Sequence, residues 1–113
     1  MGRVTRVCFR LQLKPERIAA YIERHRAVDA DMLDAIRDAG RRDYSIFVGD
    51  DGLLIGCYEA DDPAASAAAL RADSRTAAWE AESAAFFADL DGRPDTGAAE
   101  LVEVFHLDGR SDR

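Results

Sequence analysis

An α+β domain is the fold this sequence predicts, on three observations. A strictly alternating segment opens the chain, two helical patterns are separated by a hairpin, and a final apolar alternation closes it. The resulting order, β-α-β-β-α-β, is the split βαβ arrangement of the ferredoxin-like fold, with an antiparallel sheet carrying helices on one face.

The first strand spans Val4 to Lys14, with Val7, Phe9, Leu11 and Leu13 on one face and Arg6, Cys8, Arg10 and Gln12 on the other. Pro15 suits a first helical position, and Ile18, Tyr21, Ile22, His25 and Val28 recur at helical spacing. Asp29 can cap a second stretch bearing Met32, Leu33 and Ile36, with Gly40 as its left-handed stop; the two stretches form one bent helix or two. Tyr44, Ile46 and Val48 alternate toward the turn Asp50-Asp51-Gly52, and Leu53 to Glu59 returns as the other half of a hairpin. Asp62-Pro63 starts an alanine-rich helix over 64–72. Ser74 is the expected cap of the next helix, where Trp79, Ser83, Phe86, Phe87 and Leu90 trace an inward stripe ended by Asp91-Gly92. Gly92 to Gly97 is a loop, Glu100 to Leu107 the last strand, and residues 109–113 a flexible tail, leaving 4–108 as one domain.

Composition narrows the function. The 113 residues carry 22 acidic against 15 basic side chains, a net charge of -7, which disfavours nucleic acid as a partner. No apolar stretch approaches the roughly 20 residues of a membrane span, so no membrane partner is expected. Met1 to Gln12 alternates instead of presenting a secretory pattern, which points to the cytoplasm, and there Cys8 and Cys57 are expected as free buried thiols. In the last strand Val102 and Val104 alternate with Leu101 and Phe105, placing apolar side chains on both faces; the face without helices then calls for a second copy, and a homodimer is expected.

The histidines are only His25 and His106, without metal-ligand spacing or a glycine-rich phosphate loop, so the residues give little support to a metal or a nucleotide. His25 follows Tyr21 by four residues on the apolar face of its helix, so both side chains point toward the interior or a cleft. On residues alone His25 is either a histidine satisfied by a backbone carbonyl or an acid–base group. Trp79, the one tryptophan, is either core or, with Tyr44 and Tyr58, the wall of a pocket for a C–H-rich ligand. His106 reads as structural or exposed. The acidic pairs at 50–51 and 61–62, with Asp89 and Asp91, coincide with turns and caps.

Taken in order, Arg6-Val7-Cys8-Phe9, Lys14-Pro15-Glu16-Arg17, Tyr21-Ile22-Glu23-Arg24-His25, Asp43-Tyr44-Ser45-Ile46-Phe47, Asp51-Gly52-Leu53-Leu54, Asp91-Gly92-Arg93-Pro94-Asp95 and Glu103-Val104-Phe105-His106-Leu107 resemble the L-rhamnose mutarotase family over residues 4–108. The resemblance implies a dimeric α+β barrel and a cofactor-independent aldose 1-epimerase that interconverts the α and β anomers of a 6-deoxy monosaccharide. It further implies His25 as the general acid/base and Tyr21, Tyr44 and Trp79 as substrate-binding residues. Departures from the family pattern fall at Asp29-Ala30-Asp31, where many relatives carry Trp-Pro-Glu, at Asp43 for asparagine, and at Arg41 and Glu80 for tryptophans. They open two alternatives, a member repurposed for isomerisation or cyclisation of another small molecule and a noncatalytic ligand-binding barrel.

Overall fold

The computed structural model describes residues 4–88, 90 and 94–107. Strand β1 (Thr5–Gln12) is followed by a 3₁₀ turn at Pro15–Arg17, helix α1 (Ile18–Arg24) and helix α2 (Ala30–Asp38). The hairpin β2 (Arg42–Val48) and β3 (Leu53–Ala60) leads into α3 (Pro63–Ala72), a 3₁₀ turn at Ser74–Thr76, α4 (Ala77–Ala84), the short α5 (Pro94–Gly97) and β4 (Ala99–Leu101). The strands form an antiparallel sheet in the order β2-β3-β1-β4, the ferredoxin-like topology expected from the element order.

Alternation decides which face is covered. Val7, Leu13, Leu54, Tyr58 and Ala60 are buried on the helical side, where Tyr21 of α1 and Phe86 and Phe87 after α4 complete the core. Gly52, at φ +90°, lets the hairpin turn pass close to β1, and a Cβ there would stand 2.7 Å from the Leu13 carbonyl oxygen. Asp51 accepts from the Leu53 N–H at 3.0 Å, and Asp62 caps α3 by accepting from the Ala65 N–H at 3.0 Å, so these acids do serve turns and caps. Asp89 and Asp91, the Asp91-Gly92 stop and the tail 109–113 lie outside the described residues.

Several expectations are corrected. Cys8 and Cys57 are bonded to each other as a disulfide: they face one another across the β1–β3 ladder, with Cα atoms 4.3 Å apart. Forty-nine residues of sequence separation concealed that register, and the compartment argument for free thiols does not see it. The two stretches after β1 are separate helices with a break over 25–29, and Asp29 stands before α2 without a side-chain cap bond. Asp73, instead of Ser74, caps the next turn, accepting from the Arg75 N–H at 2.9 Å. Helix α4 ends at Ala84, so Phe86 and Phe87 reach the core from the turn beyond it, held by Lys14 N–H to Phe86 O at 2.9 Å and Ala88 N–H to Gln12 O at 2.8 Å. Pro94–Gly97 is a helical turn inside the expected loop. The last strand is only Ala99–Leu101; Val102–Leu107 joins no ladder, and Val104 and Phe105 are 92% and 77% exposed.

Candidate active site

Between the helices and the covered face of the sheet lies a cavity of about 650 Å³. Tyr21, His25, Tyr44 and Trp79 all line it, as do Tyr58, Arg41 and Glu80.

One end is built by α1 and α4. Four residues of helix bring Tyr21 and His25 together, their ring centroids 4.2 Å apart, and Tyr21 is wedged edge-on against Phe86 and Phe87 at 5.8 and 5.6 Å. Trp79 stands edge-on to His25 at 5.5 Å. Arg24 fixes the indole: its guanidinium lies 3.7 Å over the Trp79 ring while donating to Ser83 Oγ at 2.6 Å, the Trp79 carbonyl at 3.1 Å and Glu82 at 3.2 Å.

Position and environment set the state of His25. As the cap residue of α1 it places Nδ1 3.0 Å from the Tyr21 carbonyl oxygen. A carbonyl only accepts, so Nδ1 carries the proton and the neutral ring keeps its lone pair on Nε2. Burial, and secondarily the Arg24 charge, lower the His25 pKa from its ordinary 6.5 against the opposing pull of the Tyr21 carbonyl. His25 is thus a neutral base at neutral pH. The Tyr21 carbonyl satisfies one nitrogen, and the ring lines the cavity.

The other end is built by the sheet. Tyr58 of β3 and Tyr44 of β2 lie 5.3 Å apart, with Phe9 of β1 at 6.4 Å from each. Burial raises the Tyr21 hydroxyl well above the ordinary phenol value and pushes Tyr44 up to about 12, with the Arg41 charge pulling Tyr44 back. Both hydroxyls stay protonated and donate as well as accept.

Arg41 was visible in the sequence only as a departure from a family pattern, and a β-bulge explains why its place was not. The hairpin register pairs Ser45 with Cys57 but Arg42 with Glu59, so Asp43 and Tyr44 together oppose one residue, with Asp43 at φ +49°. An unbroken alternation through Tyr44, Ile46 and Val48 would turn residue 42 inward and 41 outward. The extra residue reverses them. Arg42 pairs outside with Asp61 at 3.0 Å, while Arg41 is only 8% exposed, donates from Nε to Ser66 Oγ at 2.9 Å and lies 3.9 Å over the Tyr58 ring. His106, as expected, is remote: it is exposed and meets Arg6 at 3.1 Å. Among the described residues no group of three or more His, Cys, Asp or Glu side chains is arranged to hold a metal ion.

A ferredoxin-like domain with an aromatic cavity and a histidine in its wall defines a class, that of small α+β domains with a small-molecule pocket. The family comparison is more specific. The L-rhamnose mutarotase profile matches residues 6–107. An L-rhamnose mutarotase of Acidiphilium cryptum is 32% identical over 102 residues, covering 89% of this chain and 96% of that protein. One of Burkholderia orbicola is 34% identical over 110 residues, covering 90% and 97%. The crystal structure of an L-rhamnose mutarotase from Formosa agariphila superposes with a TM-score of 0.74 at 22% identity, over 92% of this chain and 99% of that one. A solved chain from Nitrosomonas europaea shares the fold at a TM-score of 0.60 and 15% identity, over 93% and 94%. The chain belongs to the L-rhamnose mutarotase family.

Proposed function

We propose that this chain is a cofactor-independent aldose 1-epimerase that interconverts the α and β anomers of a free monosaccharide, with His25 moving the proton. The single observation that carries the reading is the state of His25, neutral, with Nδ1–H engaged by the Tyr21 carbonyl and the ring in the cavity wall. Nε2 takes the proton from the anomeric hydroxyl as the bond from C1 to the ring oxygen breaks. The imidazolium then returns that proton to the ring oxygen, giving the open aldehyde. Rotation about C1–C2 and the reverse proton path close the ring on its other face. Such acid–base help is typically worth about 10²- to 10⁴-fold. Tyr21 and Tyr44, kept protonated by burial, hydrogen-bond sugar hydroxyls, and Trp79 offers its face to the C–H side of the ring.

The test is NMR exchange between the α and β anomeric protons of L-rhamnose with wild-type protein, His25→Asn protein and buffer. Exchange above buffer that needs His25 is the expected result. Ligand binding without exchange would instead favour the noncatalytic barrel.

Residues 4–108 act, in this reading, as one unit, and two such units pair. The apolar Val102, Val104, Phe105 and Leu107 and the sheet residue Phe47 are exposed and suit a second copy. A dimeric mass by light scattering at micromolar concentration is expected, and a monomer would refute the pairing. A cytoplasmic location belongs to the same proposal. No helix among the described residues is long and apolar enough to cross a membrane. Fractionation of intact cells tests the compartment: the protein is expected to follow a cytosolic marker, and its recovery outside that fraction would refute the placement.

A further inference from the structure

We propose that Arg41 is the recognition site for a carboxylate on the substrate, so that the pocket takes carboxylate-bearing aldoses, the hexuronic acids being the simplest, ahead of neutral 6-deoxy sugars. The inference rests on the mutarotase reading for the sugar ring and on the buried guanidinium for the anion. A guanidinium taken out of water is costly unless an anion accompanies it, and buried arginines accordingly pair with carboxylates. Arg41 is 8% exposed, yet its partners are two neutral hydroxyls, those of Ser66 and Tyr44, and the face of Tyr58. No carboxylate among the described residues forms an ion pair with it, and it lines the cavity. Nε is committed to Ser66, which fixes the plane of the fork, and the guanidinium also hydrogen-bonds the Tyr44 hydroxyl, so an incoming carboxylate meets both groups together.

The surroundings assign a side of the cavity to that anion. Arg37 of α2 and Arg71 of α3 line the same cavity; Arg37 is held by Asp34 at 3.2 Å, and Arg71 forms no ion pair among the described residues. Glu80 and Glu100 also line it, and they act on the tyrosines, Glu80 on Tyr21 and Tyr44 and Glu100 on Tyr58. An anion therefore sits against the α2–α3 wall, away from α4. The Tyr44 hydroxyl, beside Arg41 and protonated, can donate to the same carboxylate. One planar fork plus one hydroxyl matches a planar carboxylate better than a phosphate dianion. The carboxylate would leave the anomeric end of the sugar for His25.

The experiment compares anomeric exchange of D-glucuronate, D-galacturonate, glucose 6-phosphate and L-rhamnose, together with quenching of Trp79 fluorescence, which reads binding without turnover. Wild-type protein is expected to favour a hexuronate over L-rhamnose by about tenfold or more in kcat/KM. Arg41→Gln should shrink that ratio by about tenfold or more, mainly through KM. Circular dichroism checks folding. Should Arg41→Gln not fold, Arg41→Lys, which keeps the charge and loses the fork, replaces it, and rising salt should raise the wild-type KM for the hexuronate more than that for L-rhamnose. A preference for L-rhamnose, a ratio unmoved by Arg41 or a stronger preference for the phosphate overturns the assignment. Hexuronate quenching that needs Arg41 without any exchange would retire the mutarotase reading and keep the anion site. Neither binding nor exchange overturns both.

Discussion

The two ends of the cavity are made by different means. At the α1–α4 end, Tyr21 and His25 meet because they are one helical turn apart, and Trp79 is clamped by the residue next to His25. At the sheet end, Tyr44, Tyr58 and Arg41 meet because of a strand register and the single extra residue at the bulge. The first end places a histidine, and the second places charge and hydroxyls. In the proposed mechanism local periodicity holds the chemistry while tertiary register sets what the pocket accepts, and the two should fail differently when mutated.

The largest effect is expected at the helical end. His25→Asn should slow anomeric exchange by about 10²- to 10⁴-fold with circular dichroism unchanged, because the amide lacks a titratable lone pair. Full activity would move the proton chemistry elsewhere in the cavity. Tyr21→Phe comes next, with more than a tenfold loss in kcat/KM; the ring still packs against Phe86 and Phe87, so the loss reports the hydroxyl. Wild-type kinetics in that variant would confine Tyr21 to the core.

This division also explains what was legible in the sequence. The element order, the covered sheet face and the Tyr21–His25 pair follow from periods of two and 3.6, which a single chain displays openly. Arg41 was readable as a residue but not as a cavity wall, since a bulge inverts the faces on its far side and nothing in Arg41-Arg42-Asp43 counts the extra residue. The aspartate at 43, which adopts a positive φ, was the available signal, because aspartate tolerates the left-handed region better than most residues, yet it is a weak one. The Cys8–Cys57 bond was hidden for the same reason: hydrophobic patterning gives the face of each strand, whereas the pairing partner depends on register. The C-terminal alternation was legible, but forming a strand needs a neighbour, and Val102–Leu107 has none within the described residues.

The sheet end can be perturbed without touching a polar group. Gly56 pairs with Phe9 across β1 and β3, and a Cβ at residue 56 would strike the Phe9 ring. Gly56→Ala should cost about 1–3 kcal/mol through overpacking and displace Phe9 toward Tyr44 and Tyr58. Substrate KM is expected to rise more than kcat falls, since His25 stands at the opposite end. A fall in kcat at unchanged KM, measured on folded protein, would show that the ends are coupled.

The smallest effect separates the ends by pH. His25 has a folded-state pKa below the 6.5 it regains on unfolding, with burial the larger cause and Arg24 a lesser one. Between those two values the unfolded chain binds more protons than the folded one, so the His25 contribution to stability rises with pH through that window and levels off above about 6.5. Exchange activity should follow the folded-state value, falling only when acid protonates Nε2 inside the cavity, and so persist to lower pH than an ordinary histidine would allow. In His25→Asn protein, urea midpoints measured across this range should lose that component of the slope, whereas Gly56→Ala should lower stability at every pH and leave the slope in place. An unchanged slope in His25→Asn would mean that the imidazole meets water as freely when folded as when unfolded, contrary to its place in the cavity wall.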